Sequence, residues 1–113
     1  MEHKKLCYSL HQWEHLQLDS NYPRDKVFQY MLELLKKEQL SCYKAQTAIM
    51  IVPGYDFQIV EGLITNFHQP SSTLLMLVAA LIGEEWKRVY AYAMQNGFRF
   101  LSYGDSSLLF RDA

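Results

Sequence analysis

Residues 65–73 read Thr65-Asn66-Phe67-His68-Gln69-Pro70-Ser71-Ser72-Thr73, a polar stretch set between two apolar ones. It falls at the expected end of a strand and start of a helix, where crevices in α/β sheets hold ligands. An imidazole such as that of His68 is suited to moving protons near neutral pH. Asn66 offers N–H donors and a carbonyl acceptor in one plane. A helix starting near Ser72 or Thr73 would turn its free backbone N–H groups toward an anionic or carbonyl group. A plainer reading stands beside this one. Ser72 or Thr73 is then only the helix cap, and Asn66 and His68 only satisfy buried backbone.

A second polar stretch is Ser102-Tyr103-Gly104-Asp105-Ser106-Ser107. Gly104 tolerates positive φ, and Asp105 can accept hydrogen bonds from a ribose, an amine or its own turn. Gly-Asp after a strand is also an ordinary turn. Neither stretch matches a nucleophile elbow or a Gly-rich dinucleotide fingerprint. His11 and His15 have a spacing that pairs ligands on a helix, but Trp13 and Glu14 between them do not complete a zinc motif. No metal site is expected. The aromatic residues at 86, 90 and 98–100 fit a core pattern better than a base-stacking platform; Trp13 and Tyr22 are less easily placed.

The elements that must position these residues follow from periodicity. Val27, Phe28, Met31, Leu32, Leu34 and Leu35 recur at three- and four-residue steps, which predicts a helix over 24–38. Asp25 near its start and Lys36 and Lys37 near its end suit the helix dipole. Ala48-Ile49-Met50-Ile51-Val52, ended by Pro53-Gly54, predicts a buried strand. The alternation at 57–60 and the apolar run 63–67 predict a hairpin or two short strands. Ser72 and Thr73 before the apolar run 74–82, with Gly83 after it, predict a buried helix. Trp86, Val89, Tyr90, Ala93 and Met94 lie on one face of a further helix over 84–96. Residues 98–103 and 107–110 read as strands, with a Gly104-Asp105 turn between. Strands alternating with helical segments predict an α/β fold, a mixed sheet with about three helices.

Composition bounds the function classes. The chain has 113 residues, enough for a single domain with one modest core. Half of it is hydrophobic and 20% is charged, which is globular composition. Eleven Lys and Arg against twelve Asp and Glu give a formal net charge of -1. That excludes a strongly basic arm or an acidic tail, though a local RNA-binding patch stays open. Cys7 and Cys42 lie 35 residues apart with no CxxC, so free thiols in a reducing compartment are expected. No signal-peptide core follows Met1, and the longest apolar run falls well short of the roughly 20 residues of a membrane span. The expected location is the cytoplasm. Residues 1–22 have no clear period, and the sequence predicts that they are the least well ordered.

Residues 62–78, Gly-Leu-Ile-Thr-Asn-Phe-His-Gln-Pro-Ser-Ser-Thr-Leu-Leu-Met-Leu-Val, closely resemble a signature of the S-adenosylmethionine:tRNA ribosyltransferase-isomerases of queuosine biosynthesis. The family form reads I-T-N-F-H-x-P-x-S-T-L-L-M-L-V-S-A. Phe98-Arg99-Phe100-Leu101-Ser102-Tyr103-Gly104-Asp105 resembles the family's R-F-F-S-Y-G-D, and Pro53-Gly54-Tyr55-Asp56-Phe57 its P-G-Y-x-F segment. Gln12-Trp13-Glu14 resembles an upstream Q-W-E. Gln69, Ala79 and Leu101 stand where Leu, Ser and Phe are commoner, and Ser106 and Ser107 replace the usual Ala-Met. The resemblance covers only the C-terminal portion of the family, whose members are several times longer. It implies an incomplete piece of a larger two-domain fold, with residues 1–113 as a single domain or fragment of the catalytic domain and the N-terminal part missing.

The resemblance implies an activity. The ribosyl part of S-adenosylmethionine, a substrate and not a cofactor, is transferred to a deazaguanine base in tRNA and isomerised to give epoxyqueuosine. It implies a proton-handling role for His68, with Thr65, Asn66, Ser72 and Thr73 lining the substrate pocket and Tyr103, Gly104 and Asp105 closing it. It further implies that the isolated chain is inactive and has tRNA as a partner only in the full-length enzyme. Self-association through an exposed apolar face would follow from the missing part. The alternative is a non-enzymatic RNA-binding or assembly module that kept the fold; it would be monodisperse.

Overall fold

The computed structural model of the chain describes residues 7–18 and 22–111. Much of the 1–22 tract whose order was in question, residues 1–6 and 19–21, lies outside the described residues. The chain divides into two compact units, Met1–Met50 and Ile51–Ala113.

The first unit is built on a strand-helix-strand crossover. Strand β1 (Cys7–Leu10) is followed by a single 3-10 turn (Glu14–Gln17), helix α1 (Arg24–Lys37) and strand β2 (Lys44–Thr47). β1 and β2 pair in parallel, from Cys7 opposite Lys44 to Leu10 opposite Thr47. Parallel pairing requires a long connection, which α1 supplies. α1 ends one residue short of the expected boundary, with Asp25 in its first turn and Lys36 and Lys37 in its last. None of its residues is buried. Cys42 is a free, exposed thiol; the Cys7 side chain is outside the described residues.

The strand expected over 48–52 is absent. The strand is Lys44–Thr47, exposed along its length. Past Thr47 the backbone stays joined to the β1 side, with the Ala48 and Met50 N–H groups donating to the Leu10 and Gln12 carbonyls at 2.9 and 3.1 Å, while the Ile49 N–H turns to Thr47 Oγ1 at 3.1 Å. Pro53-Gly54 then forms the expected turn, closed by Tyr55 N–H to the Val52 carbonyl at 3.0 Å.

The second unit contains strand β3 (Gly62–Asn66), helices α2 (Thr73–Ile82) and α3 (Glu85–Gln95), and strand β4 (Ser106–Phe110). β3 and β4 are antiparallel, in register from Gly62 opposite Phe110 to Asn66 opposite Ser106. Among the described residues the fold is α/β with three α-helices, and the strands form two separate two-stranded sheets, one parallel and one antiparallel. The core gathers Phe57, Phe67, Leu75, Val78, Leu81, Tyr90, Ala93 and Leu109. Val78 and Ala93 come from the two apolar helix faces read in the sequence. No helix among the described residues is long and apolar enough to cross a membrane.

Two further expectations are corrected here. Residues 57–60 form no strand, so β3 pairs with β4 across the two helices and not with a hairpin neighbour. Residues 98–103 are irregular as well. The Asp105 carboxylate accepts the Arg99 backbone N–H at 2.7 Å, and the Asp105 N–H returns to the Arg99 carbonyl at 2.9 Å. This closed loop uses the backbone groups that a strand partner would have taken.

α2 starts and stops where its residue types say. Ser72 is the N-cap, its Oγ accepting the Leu75 N–H at 3.1 Å. Gly83 ends it at φ +58°, a backbone conformation that favours glycine. Ser72→Ala is expected to lower stability by about 1 kcal/mol, read as a shifted midpoint in urea unfolding with unchanged slope.

Candidate functional site

β3 delivers Thr65 and Asn66 to the end of the antiparallel ladder, and the chain turns there through Phe67 and His68 toward α2. Phe67 points inward: it is 2% exposed, with ring centroids of Tyr90, Phe98 and Phe100 at 5.3, 5.6 and 5.5 Å. A buried ring at 67 holds its neighbours on either side near the surface. The His68 backbone N–H donates to the Tyr90 hydroxyl at 3.1 Å, tying this turn to α3. The His68 Nε2 lies 2.7 Å from Thr65 Oγ1, so strand and turn share one hydrogen bond. Asn66 Nδ2 donates to the Gly104 carbonyl at 3.3 Å. Ser107 Oγ donates to the Thr65 carbonyl at 3.2 Å, bracing the ladder end from β4.

These residues border an open concavity of about 310 Å3, lined by Asn66, His68, Gln69, Ser72, Leu74, Leu101 and Ser102. Of the site residues expected from the sequence, Asn66, His68 and Ser72 meet in it. Thr65 stands behind His68 through their hydrogen bond. Thr73 is the first residue of α2 and is exposed, outside the lining. Tyr103, Gly104 and Asp105 are not part of the lining either. Tyr103 is 97% exposed. Gly104 and Asp105 shape the loop that brings Leu101 and Ser102 to the concavity. Among the described residues, no group of three His, Cys, Asp or Glu side chains is placed to hold a metal ion.

Gln69, Leu74, Leu101 and Ser102 have no role assigned from the sequence, although Ser102 opens the second polar stretch. Gln69 lies inside the polar stretch and could have been included. Leu101 carried no such signal, because a leucine at φ +71° is not written in its residue type.

Asp105 has a definite electrostatic environment. The Arg99 backbone N–H, then the Arg99 guanidinium at 3.4 Å, hold its carboxyl below the usual carboxylate range. A carboxyl depressed in the folded state adds stability above its ordinary value, and that contribution is lost as pH falls through the lowered one. Asp105→Asn should therefore flatten the acid side of the stability profile. The check is the urea midpoint of both proteins from neutral pH to about pH 2. The two curves should converge at the acid end.

Residues 27–109 match the family model described as "Queuosine biosynthesis protein". The chain belongs to that family. Among queuosine biosynthesis relatives, S-adenosylmethionine:tRNA ribosyltransferase-isomerase of Ruegeria pomeroyi is 54% identical over 72 residues, 63% of this chain and 21% of the relative. The protein of the same name from Bradyrhizobium diazoefficiens is 56% identical over 70 residues, 61% of this chain and 19% of the relative. The crystal structure of S-adenosylmethionine tRNA ribosyltransferase from Thermotoga maritima superposes with a TM-score of 0.55 at 40% identity. That match covers 67% of this chain and 28% of the Thermotoga chain. The chain thus spans about a fifth of the length of the curated queuosine biosynthesis relatives it matches.

Proposed function

We propose that this chain is part of an S-adenosylmethionine:tRNA ribosyltransferase-isomerase and carries one wall of its active site. The reaction would move the ribosyl moiety of S-adenosylmethionine to a deazaguanine base in tRNA and rearrange it to the epoxide of epoxyqueuosine, in the cytoplasm. Support comes from the family match and the names of the relatives. The observation that carries the reading is the concavity at the end of β3, where Asn66, His68 and Ser72 converge.

His68 is the proton-handling group in this reading. For a base to act beside the sulfonium, one ring nitrogen must hold a free lone pair. If Nε2 carries the proton and donates it to Thr65 Oγ1, Nδ1 is left as the base. Thr65 is then a positioning residue that fixes tautomer and ring plane, and Tyr90 fixes the backbone beneath them. Asn66 and Ser72 supply hydrogen-bonding groups for the substrate. Gly104 and Asp105 contribute by holding the loop that completes the wall, and Tyr103 stands exposed on that loop.

The chain alone should be catalytically incompetent, because turnover needs the whole constellation in place. Release of adenine from S-adenosylmethionine and substrate tRNA by this chain alone would contradict that statement. The binding reading is tested by amide NMR of the labelled chain titrated with S-adenosylmethionine. Shifts at Asn66, His68, Gln69 and Ser72 are expected. A dispersed spectrum that does not move at these positions would remove the assignment.

A further inference from the structure

Leu101 is a bulky apolar residue in a backbone conformation that leucine rarely adopts, φ +71°. It is held there from both sides. Its N–H donates to the Phe67 carbonyl at 2.8 Å, and its carbonyl accepts the Gly104 N–H at 2.9 Å. Yet its side chain is not spent on the core, since the residue is 49% exposed. It lines the concavity beside Asn66 and His68. Leu74, from the first turn of α2, lines the same concavity and is 51% exposed. Strain tolerated at a residue that the core does not use points to a use at the site.

The polar lining complements these two leucines. Asn66 has given one N–H to the Gly104 carbonyl, which fixes the plane of its amide. The second N–H and the carbonyl oxygen of such an amide form a donor-acceptor pair that matches the exocyclic amine and adjacent ring nitrogen of adenine. Branched alkyl groups supply contact for the face of the same ring.

We propose that Leu101, with Leu74, packs against the adenine ring of the substrate while the Asn66 amide reads its edge, making Leu101 a specificity-determining residue. This rests on the proposed S-adenosylmethionine site and names which part of that substrate the concavity takes. Leucine stands where the resembling family motif carries phenylalanine, so Leu101→Phe should preserve the contact.

The test uses the full chain and three probes: S-adenosylmethionine, adenosine and free methionine. Adenosine should shift the amides of Asn66, Leu74 and Leu101, and methionine should not. Leu101→Gly and Leu101→Asn both suit positive φ, so each should keep or raise the urea midpoint. Each should nevertheless weaken adenosine binding about tenfold, the worth of one lost side-chain contact. Leu101→Phe should bind adenosine at least as well as the parent. A merely structural leucine would move stability and affinity together, or leave affinity untouched. Unchanged adenosine affinity in Leu101→Gly, with S-adenosylmethionine still bound by the parent, overturns the role of Leu101 and leaves the site reading intact. A folded parent chain that takes up neither S-adenosylmethionine nor adenosine overturns both.

Discussion

Phe67→Ala is expected to abolish cooperative folding of the Ile51–Ala113 unit. The ring is 2% exposed and meets Tyr90, Phe98 and Phe100, two of them edge-on. Truncating a buried phenylalanine costs about 3–5 kcal/mol. The lost edge-to-face contacts are included in that range, since each is worth only about 0.5–1.5 kcal/mol beyond burial. A unit of this size has a net stability of the same order. The substitution also acts on the site, because Phe67 bridges it: its N–H donates to the Asp105 carbonyl and its carbonyl accepts from Leu101. Near-ultraviolet circular dichroism should lose its aromatic signal, and the dispersed amide spectrum should collapse. A Phe67→Ala chain that melts with the parent's midpoint would contradict the proposed packing.

Gly104→Ala comes next in size, for a different reason. A Cβ on this residue would stand 2.4 Å from the Arg99 carbonyl oxygen and 2.7 Å from two backbone carbons. All three are main-chain atoms of the loop, so no side chain can swing aside. Relief requires the loop to open, which breaks the Asp105 clamp on Arg99 and the Gly104 N–H to Leu101 bond. Overpacking of this kind costs about 3 kcal/mol or somewhat more. The smallest possible side chain should therefore destabilise more than deletion of the Ser72 cap. It should also displace Leu101 and Ser102 from the concavity, so ligand shifts at Asn66 should vanish even where the chain stays folded. Retention of both the parent's midpoint and its ligand shifts would show that the loop is softer than its hydrogen bonds imply.

The helices were legible because their signals are local. Ser72, Gly83 and the spacing of Trp86, Val89, Tyr90 and Ala93 each act within a turn or two. The strands were less legible, and in one of them a single side chain outbid the ladder. The run 48–52 keeps two backbone bonds to the β1 side, from Ala48 to Leu10 and from Met50 to Gln12, but no regular strand continues there. Asp105 folds 98–103 into a loop although four of its six residues are of types common in strands or cores. The same loop explains what was missed at the site. Asn66, His68 and Ser72 sit in one continuous polar stretch and declare themselves. Leu101 and Ser102 reach the concavity only because Asp105 turns the chain back, a relation between residues that no periodicity encodes.

The pairing of β3 with β4 across both helices bears on the order of assembly. The ladder closes over a long intervening chain, and such pairings wait until the entropy of closing that chain has been met. The α2–α3 hairpin, with its tight Gly83 connection, supplies local contacts first and brings the strand ends together. The shortest route into the ladder is at Asn66 opposite Ser106, and pairing then zips outward to Gly62 opposite Phe110. The concavity lies at the end that closes first. Fraying of this ribbon under thermal agitation should therefore begin at the Gly62–Phe110 end, leaving the Thr65 and Phe67 amide protons, which point across the ladder at the other end, among the last to exchange.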